Sequence, residues 1–218
     1  MPNIACEIDG VTIVLIGAFN PKIFQPAWFA HHGLIRHEEA ASAENVVAVN
    51  ELSTFTADWL SLQVTQERLQ ASTGDAAHFD VLRDIILGTF RLLEHTPVEK
   101  MGINRYMHYQ VTPEDKYVAF GHFLAPKSPW TGILDDPRTM SLSVAGVQLR
   151  GSDSVKITVK VEPSVRVHPG VFIATNEHYE TGGTNGGLGQ LLAKLDQHWD
   201  NALTMAKQIA EHLLRQDY

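Results

Sequence analysis

Residues 11–19, VTIVLIGAF, are nine consecutive apolar positions crowded with β-branched side chains. A run of that length and composition packs best as a strand buried in a sheet. It is also far too short to cross a bilayer as a helix. Asn20-Pro21 follows at once, a capping residue ahead of proline at a first helical position. The spacing predicts a helix carrying Phe24, Ala27, Trp28 and Ala30 that ends by Gly33.

Two extended stretches come next, 45–59 and 60–69, as a hairpin or one bent strand. A helix is expected from Asp75, with Phe79, Leu82, Ile86, Phe90 and Leu93 at three- and four-residue spacing and Pro97 as its stop. The second half opens with a strand over 101–111, and Thr112-Pro113 then starts a short helix, EDKYVAFGHFL. Residues 125–139 hold three prolines and read as loop. Strands are expected at 140–149, 154–162 and 170–180, with a tight turn at 150–153. The glycine-rich 181–187 reads as a flexible link, and Leu188, Leu191, Leu195, Trp199, Ala202, Ala206, Ile209 and Leu213 mark a long final helix.

Read this way the two halves match. Asn20-Pro21 leads to Ala27-Trp28 at the interval by which Thr112-Pro113 leads to Ala119-Phe120, and LQVTQE (62–67) lies near ITVKVE (157–162) in pattern. The expected class is α+β: a tandem repeat of a strand-helix-strand-strand-helix unit, its antiparallel or mixed sheet backed by two long helices. The halves, 1–98 and 99–218, would share one core. Coincidence is the competing account, because proline is favoured at helix starts generally.

Charge narrows the partners. Against 17 Lys and Arg stand 25 Asp and Glu, a net charge of −8, with no cluster of cations to track phosphates. Nucleic acid is therefore not an expected partner, and neither is a membrane. The N-terminus lacks a basic start followed by an apolar core, and the single cysteine, Cys6, rules out an intrachain disulfide. A cytoplasmic protein is expected.

The search for chemistry is mostly negative. His31, His32, His37, Glu38 and Glu39 form the richest metal-ligating stretch, but Gly33 interrupts it and nothing in the spacing makes the ligands converge. A solvated loop is the competing reading, and no native metal or cofactor is assigned. There is no HExxH, GxSxG or P-loop pattern, and Cys6 has no adjacent base. No catalytic residue is assigned. An enzyme could still assemble a site in the fold from His108, His178, Tyr106 and Glu180.

What remains is a surface. Alternation in GINRYMHYQV points Met101, Ile103, Met107, Tyr109 and Val111 one way, with Arg105 as the odd member, and Asn104, Tyr106 and His108 the other. In GVFIATNEHYE, Asn176 and His178 share the polar phase. Together Asn104, Tyr106, His108, Asn176 and His178 would make a polar-aromatic binding face; a merely solvated face alternates in the same way. Trp130, in SPWTGILDD, is a candidate interaction anchor or a loop tryptophan tucked back on the core.

GINRYMHY (102–109), coming after a long helix and Pro97, resembles the GLRYINR-type strand of an uncharacterised, sporadically distributed bacterial family. The likeness extends to Phe55, Trp59 and the 60–69 stretch. It departs in order, since Asn104-Arg105-Tyr106 stands where that family has Arg-Tyr before Ile-Asn. The resemblance implies a cytosolic bacterial protein, sometimes of mobile or defence-related gene neighbourhoods, and brings no catalytic residues with it. The functional expectation is a non-catalytic protein-interaction or assembly module, with a defence or antitoxin-like system as one setting. Its partner would be another protein or a second copy, joined through the final helix or a sheet edge. The alternatives are a small-ligand sensor and an enzyme with a fold-assembled His/Tyr/Glu site.

Overall fold

The computed structural model describes residues 5–151, 153–181 and 187–216. Its strands form one nine-stranded antiparallel sheet in the order β2-β3-β4-β5-β1-β6-β9-β8-β7. The strands are β1 (Cys6–Gly17), β2 (Glu44–Ala48), β3 (Leu52–Ala57), β4 (Leu60–Thr65), β5 (Arg68–Thr73), β6 (Val98–Gln110), β7 (Leu142–Arg150), β8 (Asp153–Pro163) and β9 (Gly170–Glu180). Five helices accompany them: α1 (Pro26–His31), α2 (His37–Ala41), α3 (Phe79–Leu92), α4 (Glu114–Leu124) and α5 (Gly187–Leu214).

This overturns the tandem repeat of a strand-helix-strand-strand-helix unit backed by two long helices. The first half has four strands between its helices where two extended stretches were expected. The reason lies in the turns. Ala57 pairs with Leu60 across Asp58-Trp59, and Asp58 takes a left-handed φ of 49°. Gln66-Glu67 joins β4 to β5, with the Thr65 hydroxyl accepting from the Arg68 N–H at 3.1 Å. Neither turn carries the glycine, proline or Asn-Gly pair that marks a hairpin in a sequence. Pro26 likewise divides the first expected helix: a 3-10 turn spans Pro21–Ile23 with Asn20 as its cap, and α1 begins only at Pro26.

The chain divides into two compact units. One comprises Gly10–Asn104 and Glu177–Ala202. Here β1 pairs with β5 from Val11↔Thr73 to Ile16↔Arg68, and β5, β4, β3 and β2 follow as a meander. Period-two burial places Phe55, Leu62, Val64, Leu69 and Ala71 on the core face, with Val11, Ile13 and Leu15 from β1. Phe24, Phe29 and Phe90 pack over them from α1, its preceding turn and α3. Trp199 of α5 is fully buried, and its indole N–H donates to Asp80 at 2.9 Å.

The other unit comprises Met1–Asp9, Arg105–Asn176 and Leu203–Tyr218. Its core gathers Met107, Tyr109, Val111, Phe120, Val161, Val171 and Ile173 with Ala206, Ala210 and Leu214 of α5. β7 and β8 pair without interruption from Leu142↔Val161 to Arg150↔Asp153. The turn expected at 150–153 includes Ser152, and the glycine-rich link includes 182–186; both lie outside the described residues. No helix among the described residues is long and apolar enough to cross a membrane.

Candidate interaction surface

The expected polar face divides between the two units. Asn104 and His178 belong to the first described, Tyr106, His108 and Asn176 to the second. Asn104 is half-buried and donates from its side-chain amide to the Thr12 carbonyl at 3.2 Å, so it braces neighbouring strands. His178 Nε2 lies 2.7 Å from the Glu180 carboxylate, which also meets Lys100 at 3.3 Å. The His178 hydrogen bond, then Lys100, holds the Glu180 carboxyl below its usual range. Each of these groups is engaged by its neighbours.

In the other unit the Val111 N–H donates to the Pro169 carbonyl at 3.0 Å, a register that sets His108 opposite Phe172 and Tyr106 opposite Ala174. The His108 and Phe172 rings are 4.9 Å apart. His108 is buried, and its Nδ1 lies 2.8 Å from Ser164 Oγ. That hydroxyl already accepts from the Arg166 N–H at 3.1 Å and the Val167 N–H at 2.9 Å. Its own proton is therefore the one shared with His108, which makes Nδ1 the acceptor of a neutral imidazole. Desolvation, with the Arg166 charge beside it, holds the His108 pKa below its ordinary value. Burial, then Asp9, pushes the Tyr106 hydroxyl up.

A serine beside a histidine invites a nucleophile reading, and the geometry argues otherwise. Two amide donors occupy both lone pairs of Ser164 Oγ and leave none free to attack. Among the described residues no carboxylate partners the His108 ring. The pair organises the β8–β9 turn. Cys6 is no better placed: desolvation and then Asp9 push its thiol up, away from the thiolate that would react. No group of three or more His, Cys, Asp or Glu among the described residues could hold a metal ion. In the 31–39 stretch the His31 and His32 rings pack edge to face at 5.0 Å, and His32 lies 4.6 Å from Trp28.

The feature the sequence reading missed is the outermost strand. β7 exposes Val144 (56%), Val147 (69%) and Leu149 (76%). Its side chains alternate: Gln148 reaches Met205 of α5 at 3.6 Å, which puts even-numbered positions on the helix side and Ala145, Val147 and Leu149 on the other. No charged residue occurs from Thr139 to Leu149. The same unit exposes Trp130, Ile133, Leu134 and Met140 in the segment leading into β7. Trp130 is thus an exposed loop residue. The signal was present in MSLSVAGVQL, where apolar residues fall on both phases of a strand with no charge to mark a solvent face.

The other outer strand is built differently. β2 has five residues, a register break between Glu44 and Val47, and Asn45 at a left-handed φ of 55°. Glu38, Glu39, Glu44 and Asp58 line the hollow beside it. Bulges and charge are the usual devices that stop an edge from pairing; β7 is unbulged and carries no charge before Arg150 at its end.

No protein-family model matches the chain, and no curated protein matches it.

Proposed function

We propose that the protein is a non-catalytic interaction module of the bacterial cytoplasm that engages another polypeptide through the exposed edge of β7. The observation that carries this reading is a nine-residue, unbulged outer strand, uncharged from Leu142 to Leu149, with Val144, Val147 and Leu149 exposed. Such a strand offers unpaired backbone groups together with apolar side chains, the combination used in strand addition. The likeness of residues 102–109 to a bacterial family strand supports the cytoplasmic setting. In this reading Asn104 braces β6 against β1, His108 holds the β8–β9 turn, and Trp130 rims the surface.

The test is a photo-crosslinking residue placed at Val147 in the native host. It should capture a polypeptide, and the Leu149→Lys change should abolish the capture. A probe at Gln63, on β4 in the other unit, should capture nothing. Equal yields at 147 and 63 would overturn the reading.

One observation favours a second reading, a small-ligand sensor. A cavity of about 120 Å³ lies in the same unit, walled by Tyr117, Phe120, Leu124, Val161 and Val171, with Lys127, Asp136, Arg138 and Glu162 also lining it. Its volume and apolar walls suit a short aliphatic group. Native mass spectrometry of protein from the host decides it: a retained small molecule supports the sensor, a bare chain removes it.

A further inference from the structure

We infer that the polypeptide seated on β7 is a second copy of this chain, paired antiparallel through the same strand about a twofold axis at Val147. This rests on β7 being an interaction edge and names its partner.

Charge is the first argument. The chain carries −8, so two copies repel on net charge. The β7–β8 hairpin is an exception, with Arg150, Lys156 and Lys160 against Asp153 and Glu162. It is the unprotected sheet edge and also a place where two acidic chains can meet without facing like charge. The β2 edge, ringed by Glu38, Glu39, Glu44 and Asp58, is closed to a second copy on the same ground.

Self-complementarity is the second. With the axis at Val147, that residue faces its own copy and Ala145 faces Leu149 of the other chain. One uninterrupted apolar row then covers the two most exposed side chains of the strand. On the helix side Gly146 meets Gln148 and Val144 meets Arg150, so no like charges oppose each other. A Cβ built on Gly146 touches nothing within 4 Å, so the sheet face at the middle of the strand is open. Lys156 sits opposite Val147 on β8. The two Lys156 side chains would lie three strand spacings apart, about 14 Å, beyond the screening length at physiological salt.

Sedimentation of the full chain from low to high micromolar concentration tests the inference. The expected result is a reversible monomer–dimer equilibrium, doubling the 24.2 kDa mass. Val147→Lys should leave a folded monomer at every concentration, its circular dichroism unchanged and its melting equal to that of dilute, monomeric wild type. In a Cys6→Ser background, Val147→Cys should oxidise to a disulfide-linked dimer while Gln63→Cys does not. A wild-type chain that stays monomeric, or a dimer that Val147→Lys leaves intact, overturns the inference. If the wild-type chain is monomeric and the crosslink from position 147 reaches a different protein, the second copy is excluded and the interaction edge stands. If position 147 captures nothing as well, both fall.

Discussion

Arg105 breaks the apolar phase of its strand because it ties a strand to a helix from a half-buried position. Its Nε and one terminal nitrogen donate to the two oxygens of Asp9 at 2.9 and 2.5 Å, and the other terminal nitrogen donates to the Leu203 carbonyl of α5 at 2.6 Å. All three belong to one unit, where the guanidinium joins a strand to a helix. Sequence alternation located the exception but not its partner, because Asp9 lies 96 positions away. Removing one member of a half-buried pair leaves a partly desolvated charge uncompensated, so Asp9→Ala should lose about 2 kcal/mol in urea denaturation. Replacing both members with apolar residues, Asp9→Val with Arg105→Met, should be less destabilising than either change alone. His108 couples stability to pH. Its folded-state pKa lies below the ordinary value of 6.5. The unfolded chain therefore binds the extra proton first as pH falls. The stability contributed by neutral His108 is complete above the unfolded-state value and is lost as pH drops through it toward the lower folded one. His108→Gln should flatten that part of the stability curve, and Ser164→Ala should raise the His108 titration midpoint seen by NMR, since it removes the donor that favours neutral Nδ1.

Elements were legible in proportion to their punctuation. α4 falls on the expected 114–124, opened by Thr112-Pro113, and α5 follows its expected apolar period from Leu188 to Ala206, beyond which Ala210 and Leu214 are buried in place of Ile209 and Leu213. Asp75 caps the expected helix start, accepting from the Ala77 N–H at 2.9 Å. The four short strands of 44–73 were not legible, because Asp58-Trp59 and Gln66-Glu67 turn without glycine. Glycine matters where backbones crowd. A Cβ on Gly17 would stand 2.9 Å from the Val98 Cα and closer still to the Pro97 carbonyl oxygen. Gly17→Ala should therefore lower stability by about 3 kcal/mol, the upper end for overpacking. A methyl group added at Gly121, in α4, would meet nothing within 4 Å, and Gly121→Ala should raise stability by up to ~1 kcal/mol through helix propensity. Thermal melts of the two variants should move in opposite directions.

At the scale of the molecule, strand order was beyond reach of the sequence. Alternation tells which side chains share a face, but which strand lies outermost depends on pairings between distant segments. So the polar phase of β6 and β9 drew attention while the exposed apolar edge of β7 did not. The chain's charge shapes how that edge behaves. Screening weakens repulsion between two −8 chains, so added salt should tighten the dimer, whereas an assembly held by ion pairs would loosen. Hydrogen exchange of the backbone amides in Leu142–Arg150, followed across protein concentration, reads strand pairing through β7 amide by amide. In an isolated edge strand alternate amides face solvent and exchange fast; pairing protects them. Half of these amides should become protected as concentration rises, in wild type and not in Val147→Lys. Fast exchange at every concentration would contradict strand pairing through β7.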